Sequence, residues 1–243
     1  MSEEFLRRVF PNDVHHVAGL HEVIREHLPE RGRVLDLGCG INSDLESYRS
    51  ANREVWGVDF QEHPELRHAD WFRPLGKGGR IPFPNGHFDL VVAVMVLEHV
   101  ADPRSFLAEI SRVLKPGGHF IGHTISGTHY VTFIRRLIGL LPHTVNQRLV
   151  KRLYGRDEVD TFPAFYRLNT ESRIMRFTSA VGMEVKGLRR YPDPGYFRFA
   201  RPLEATAILL DQVLDSIAGG WGRLYLTVTI RKSADSASML RAG

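Results

Sequence analysis

The chain predicts an α/β fold built on a mostly parallel sheet, and three observations carry that expectation. Short, nearly continuous apolar runs recur at residues 34–37, 55–58, 90–95 and 120–123, the pattern of strands buried on both faces. Stretches with helical spacing separate them, as alternating strands and helices require. The first run ends in Gly38-Cys39-Gly40 and the second in Asp59. A glycine turn lets a ligand touch backbone where a Cβ would intrude, and an acid about twenty residues further on can accept hydrogen bonds from both hydroxyls of a ribose.

In chain order, residues 2–28 read as one or two helices, with Val14, Val17, Leu20 and Ile24 at helical spacing and Pro29 and Gly32 ending the pattern. This segment, 1–30, is expected to cap the ligand cleft. Strands at 34–37 and 55–58 follow. A loop from Ile81 to Gly86 leads into the strand at 90–95, and a helix at 106–114 closes at Lys115-Pro116-Gly117-Gly118 before a strand at 119–124. Residues 127–167 read as a helical lid insertion. Within it, 130–153 interleaves Tyr130, Phe133, Ile134, Leu137 and Leu149 with Arg135, Arg136, Arg148, Lys151 and Arg152, and Pro142 splits it into two amphipathic helices. Asn169 or Thr170 caps a helix running through Phe177 and Ala180, and Gly182 ends it. A strand at 184–191, a turn at Pro192-Asp193-Pro194-Gly195, a helix at 203–217 and a strand at 223–232 complete a single domain over 1–232. The Ser- and Ala-containing tail, 233–243, is expected to be disordered.

Composition sets limits. A chain of 243 residues with 43% hydrophobic content buries one substantial core. Its lone cysteine, Cys39, excludes an internal disulfide and a cysteine-rich zinc site, and no signal-peptide pattern opens the chain, so a cytoplasmic location is the expectation. No run is long enough to span a bilayer. Membrane contact is peripheral at most, through the basic amphipathic segment 130–153. The formal charge of +4 is mild, and no nucleic-acid-binding module is evident.

The ligand class follows from what the glycine turn lacks. A dinucleotide site uses G-x-G-x-x-G so that pyrophosphate can lie on a helix N-terminus. Here Gly38 and Gly40 are followed by Ile41, Asn42 and Ser43. A nicotinamide oxidoreductase is therefore disfavoured over an adenosine cofactor without pyrophosphate. On these residues the sequence resembles the class I S-adenosylmethionine-dependent methyltransferases, in the small-molecule branch related to the ubiquinone and menaquinone enzymes. Ile81-Pro82-Phe83-Pro84-Asn85-Gly86-His87-Phe88-Asp89, Val96-Leu97-Glu98-His99-Val100 and Lys115-Pro116-Gly117-Gly118 stand in that family's order and spacing, so the resemblance covers residues 30–126. One departure is Asn42, where many relatives carry a third glycine.

The resemblance implies a Rossmann-like, doubly wound, seven-stranded sheet with an antiparallel edge strand. It also implies S-adenosyl-L-methionine as cofactor, with Asp36, Gly38, Cys39 and Gly40 at the methionine moiety, Asp59 on the ribose and Phe60 on the adenine face. Asp70 and Trp71 would take the third-strand position at the adenine, and the Met95 carbonyl would accept from the cofactor ammonium. The acceptor is a small molecule, apolar or aromatic given the lid, with methyl transfer to oxygen favoured over carbon or nitrogen. Arg189, Arg190, Arg198 and Arg201 would suit a carboxylate or phosphate on it. His99, His123 and Glu98 are the candidates for proton removal. Each also has a structural reading, in which His99 packs the following turn, His123 is a satisfied core residue and Glu98 holds a backbone N–H. His129, Tyr130, Tyr166 and Arg167 are candidate acceptor contacts from the lid, and Arg167 is equally a surface ion-pair residue. Asp13, His15 and His16 read as capping and surface residues. No metal site is expected, because His123 and His129 are too isolated to bind zinc. The alternative to an enzyme is a non-catalytic, cofactor-binding member of the fold that serves a partner or senses metabolite.

Overall fold

A computed structural model describes residues 9–10, 13–41, 45–139, 163–193, 197, 201–220 and 222–234. Seven strands form one sheet: β1 (Gly32–Leu37), β2 (Arg53–Asp59), β3 (Phe72–Pro74), β4 (Phe88–Val94), β5 (Leu114–Ile125), β6 (Met183–Tyr191) and β7 (Tyr225–Lys232). Their order is β3-β2-β1-β4-β5-β7-β6. The first five run parallel, and β7 is antiparallel to both β5 and β6. The reversed strand is thus inserted between β5 and the edge strand β6. Strand order switches direction between β1 and β4, and in open α/β sheets that switch point is where the ligand crevice opens.

Among the described residues, five helices flank the sheet: α1 (His16–His27), α2 (Pro103–Val113), α3 (Tyr130–Gly139), α4 (Glu171–Ser179) and α5 (Arg201–Ala218). Helix α2 starts where its sequence demands. Asp102 accepts from the N–H groups of Arg104 and Ser105, and Pro103 fills the first turn, where a missing N–H costs nothing. Its buried Leu107, Ile110 and Val113 join Phe88, Val91, Phe120 and the α4 residue Ile174 in one core, on one face of the sheet. The other face belongs to α1, whose Leu20, Val23 and Ile24 pack on Val34, Val55, Leu90 and Ile121. Val14 and Val17 lie outside that core and stay exposed at 41% and 43%. The sequence spacing had placed them on the buried face, but they precede or open the helix and lie beyond the packed surface.

Helix α1 runs against the direction of β5. His27 at its C-terminal end lies on His119, and His16 at its start stacks on His123, four residues along the strand. The N-terminus of α1 therefore sits at the C-terminal rim of the sheet, where the 1–30 segment was expected to cap the cleft. The Ile81–Gly86 loop is held by Arg112, which donates to the carbonyls of Ile81 and Phe83 and to Asn85, and by Glu109, which accepts from Ile81 N–H. Asp89 ties the opposite rim together by accepting from Arg33 N–H and from Lys115.

Two elements differ from the sequence expectation. Strand β5 begins at Leu114, so Lys115-Pro116-Gly117-Gly118 lies within the strand. Helix α5 turns a polar residue inward: Asp211 is buried, whereas Leu209 and Ile217 are 63% and 77% exposed. Of the lid insertion, α3 is described; its continuation through Pro142, Arg148 and Arg152 lies outside the described residues, as do Asn42, Ser43, Arg198 and the tail from residue 235. Among the described residues, no helix is long and apolar enough to cross a membrane.

Candidate active site

At the switch point, β1 ends in a backbone cradle. Gly38 has φ +80° and lies so close to the turn after β4 that a Cβ would come 2.4 Å from a Val96 methyl. Only glycine meets both conditions. The N–H groups of Gly38 and Cys39 donate to the Val58 carbonyl at 2.8 and 3.2 Å, which pins the turn to β2. Gly40 has φ +52° and faces open space, so the surface beside it is bare backbone. Asp36, 3% exposed, closes β1 beneath this turn, in register with Gly57 and Val92.

Asp59 ends β2 and is oriented by two backbone donors. Gly40 N–H reaches one carboxylate oxygen at 2.9 Å, and Phe60 N–H reaches the other at 2.6 Å. Each oxygen keeps a further lone pair for a ligand hydroxyl. The Phe60 ring is 70% exposed beside it. Met95, just past β4, has φ +56°, and its N–H donates to the His123 carbonyl at 2.8 Å. Asp36, Gly38, Cys39, Gly40, Asp59, Phe60 and Met95 are thus gathered at one rim. Bare backbone, a poised carboxylate and an exposed ring fit an adenosine cofactor.

Asp70 and Trp71 are not brought there. They form a 3-10 turn before β3, and Phe72 pairs with Gly57, so Trp71 lies level with Trp56, well short of Asp59. Trp71 packs edge-on against Trp56 and under the Arg49 guanidinium. It lines a cavity of about 550 Å³ with Gly32, Arg53 and Lys115, at the opposite ends of the strands. Pro74, the last residue of β3, stands level with Asp59 instead, and the next residue, Leu75, donates its N–H to the Asp59 carbonyl.

The three candidate bases fare differently. Glu98 is 4% exposed, and its carboxylate accepts from Thr124 Oγ1–H at 2.7 Å. Asn169 donates to the same Thr124 oxygen and to the Ile125 carbonyl. The Glu98 carbonyl also accepts from the N–H groups of Phe165 and Tyr166. This residue therefore anchors the return of the insertion. His99 is half-buried with Nδ1 3.0 Å from the Pro163 carbonyl, which makes Nδ1 the protonated nitrogen. His123, 1% exposed, places Nδ1 2.7 Å from Thr227 Oγ1 and Nε2 3.1 Å from His16 Nδ1. Burial pushes the His123 pKa down to about 4.

The candidate acceptor contacts also divide. His129 is buried and accepts from Val131 N–H at Nδ1, so Nε2 carries the proton and donates to buried Asp211 at 3.3 Å. Burial, and then the same Asp211 carboxylate, raise the pKa of Tyr130, whose ring lies parallel to Phe197 with centroids 6.3 Å apart. Met95, Tyr130, Phe197 and Tyr225 surround Ile125, Val131 and Leu224 in a small apolar cluster. Tyr166 is 5% exposed, at φ +50°, with its carbonyl accepting from Arg136 and Arg173. Arg167 is exposed and donates to the Ala101 carbonyl. Both brace the insertion and lie outside the cluster. Arg189 and Arg190 pair with Glu26 and Glu171 at the surface, so neither is held for an acceptor anion. Sequence reasoning missed His16, Tyr225 and Asp211. Their partners lie 82 or more residues away for His16 and Asp211, and no local pattern marks such a pairing.

The family model for the methyltransferase domain matches residues 6–176, well over half of the chain. The chain belongs to the methyltransferase-domain family. The chain is 34% identical over 120 residues to a probable S-adenosylmethionine-dependent methyltransferase of Mycolicibacterium smegmatis, a match covering 46% of each chain. It is 28% identical over 194 residues to a ubiquinone biosynthesis O-methyltransferase of Pseudomonas aeruginosa, covering 74% of this chain and 78% of the relative. The chain spans about half the length of several other curated relatives it matches. Its fold is that of a solved S-adenosylmethionine-dependent methyltransferase from Methanosarcina mazei, with TM-score 0.59 at 18% identity, covering 92% of this chain and 100% of that one. S-adenosylmethionine dependence is named for both the M. smegmatis relative and the M. mazei structure.

Proposed function

We propose that the protein moves a methyl group from S-adenosylmethionine to the oxygen of a small, flat, largely apolar acceptor. The observation that carries this reading is the apolar cluster of Met95, Tyr130, Phe197 and Tyr225 beside the glycine cradle, edged by the imidazoles of His16 and His123. Such a wall takes up an aromatic ring by stacking and offers neutral hydrogen-bonding groups to a hydroxyl. The name of the P. aeruginosa relative, an O-methyltransferase of ubiquinone biosynthesis, agrees with oxygen as the accepting atom.

In this reading Asp36, Gly38, Cys39 and Gly40 hold the methionine end of the cofactor, Asp59 holds the ribose, Phe60 covers the adenine and the Met95 carbonyl receives the ammonium. The cofactor supplies an electrophilic methyl group. Displacement of that methyl group by the acceptor oxygen would leave the electron pair of the broken carbon–sulfur bond on sulfur, and the acceptor proton would pass to His99 or to solvent. The chain contributes chiefly position. Glu98 is committed to Thr124 and His123 has a low proton affinity, so neither supplies a strong base. Holding two reactants at near-attack distance can itself provide about 7–11 kcal/mol of barrier lowering. His99, oriented by the Pro163 carbonyl, is the remaining candidate to accept a proton.

The test is methyl transfer from labelled S-adenosylmethionine to a panel of catechols, simple phenols, aliphatic alcohols and amines, read by mass spectrometry. Label on a phenolic oxygen supports the reading. Label on carbon or nitrogen alone, or cofactor binding without turnover on any member, contradicts it.

A further inference from the structure

The sequence gives His15 and His16 the same bland role, and the structure separates them. His15 caps α1, its ring accepting from Val17 N–H. His16 is half-buried at the C-terminal rim of β5, with its ring stacked on Tyr225 at 3.7 Å between centroids and 11° between planes. Its Nδ1 meets His123 Nε2, and His123 Nδ1 meets Thr227 Oγ1. The three side chains come from α1, β5 and β7, and they form a row that starts in the core and ends at the rim.

The row has a definite polarity. A neutral imidazole carries one N–H and one lone pair. If Thr227 donates to His123, then His123 donates to His16, and His16 Nε2 carries a proton. If His123 donates to Thr227, the order reverses and His16 Nε2 presents a lone pair. Both orders satisfy every member, so His16 can meet either end of a hydroxyl. Burial, with the neighbouring His123 and His15, pushes His16 down to about 3, so both rings stay neutral at physiological pH. Among the described residues, nothing hydrogen-bonds to His16 Nε2. Tyr225, on which the ring stacks, belongs to the same cluster as Met95, Tyr130 and Phe197.

We propose that His16 is the group that hydrogen-bonds the acceptor hydroxyl, with His123 and Thr227 as the positioning pair behind it, and that this row selects a neutral hydroxyl on a flat ring over an anion. The inference rests on the methyltransferase reading of the site. It makes His16 a specificity-determining residue contributed by the N-terminal helix, outside the strands that form the cofactor cradle.

The experiment uses the full chain saturated with S-adenosylhomocysteine and 4-nitrophenol as the probe, whose absorbance distinguishes bound phenol from phenolate. Wild type is expected to bind the phenol form, and the nitrogen-15 resonance of His16 Nε2 is expected to move on binding. His16→Phe, which keeps the stack and removes the nitrogen, should weaken the probe by about tenfold, the worth of one ordinary hydrogen bond, with S-adenosylhomocysteine affinity unchanged. His16→Asn should recover part of the loss. A probe that binds His16→Phe as tightly as wild type, or leaves the Nε2 resonance still, overturns the proposal. So does preferential binding of the phenolate. Wild type that binds S-adenosylhomocysteine but not the phenol overturns the role of His16 alone, whereas loss of S-adenosylhomocysteine binding overturns the underlying reading as well.

Discussion

The two sides of the rim are built by different means. On the β1–β2 side, residues close in sequence do the work: Gly38, Cys39 and Gly40 form the turn, and Asp59 at the end of the next strand is locked to it by Gly40 N–H. On the β5–β7 side, the contacts join distant segments. His16 meets His123, His129 meets Asp211, and Tyr130 lies parallel to Phe197. The first arrangement depends on backbone conformation, and its requirements are visible as glycines and an acid. The second depends on insertions folding back over the sheet.

If the cradle is a backbone device, adding a single methyl group should break it. Gly38→Ala places a Cβ against Val96 at a positive φ, and a loss of about 2–4 kcal/mol in urea unfolding is expected, together with loss of cofactor binding. On the other side, Asp211→Ala strands the buried His129 N–H and frees Tyr130. A loss of about 2–4 kcal/mol is expected with cofactor affinity retained, which calorimetry on the folded variant would check. Equal loss of cofactor binding in both variants would merge the two sides into one unit.

Acid should act on the second side, where His16 and His123 are the histidines held furthest below their ordinary value. His123 has its pKa lowered in the fold, so between about 6.5 and about 4 the unfolded chain binds a proton that the folded chain does not. Its contribution is whole above the unfolded value and is lost as pH falls, by at most about 3 kcal/mol. The His123→Gln variant should show a flatter stability profile over pH 4–6.5, and a profile as steep as wild type would place the sensitivity elsewhere. The smallest effect belongs to Arg189→Ala. Its ion pair with Glu26 is half-exposed, so less than about 1 kcal/mol of stability is expected to change, and methyl transfer should be unaffected.

The same contrast explains what the sequence revealed. The strand runs and the glycine turn are local, and both were legible because their causes lie within a few residues. Trp71 misled because its place depends on where β3 starts: the strand begins at Phe72, after the tryptophan, and so leaves the indole against Trp56. Glu98 looked like a site residue by its place in a motif and Tyr166 by its place in the lid, yet hydrogen bonds across 26 and 68 residues turn them into supports. Helix α5 carries the clearest case. Its apolar residues predicted the helix correctly, but Asp211, held by His129 and Tyr130, decided which face turned inward.

The measurement that tests the central claim most directly is calorimetric binding of S-adenosylmethionine to wild type, Asp59→Ala and His16→Phe, with NAD as the control. The account predicts micromolar binding to wild type, loss of about a hundredfold or more in Asp59→Ala as two ribose hydrogen bonds to a charged group disappear, unchanged binding in His16→Phe, and none for NAD. Equal losses in the two variants, or binding of NAD in place of S-adenosylmethionine, would contradict it.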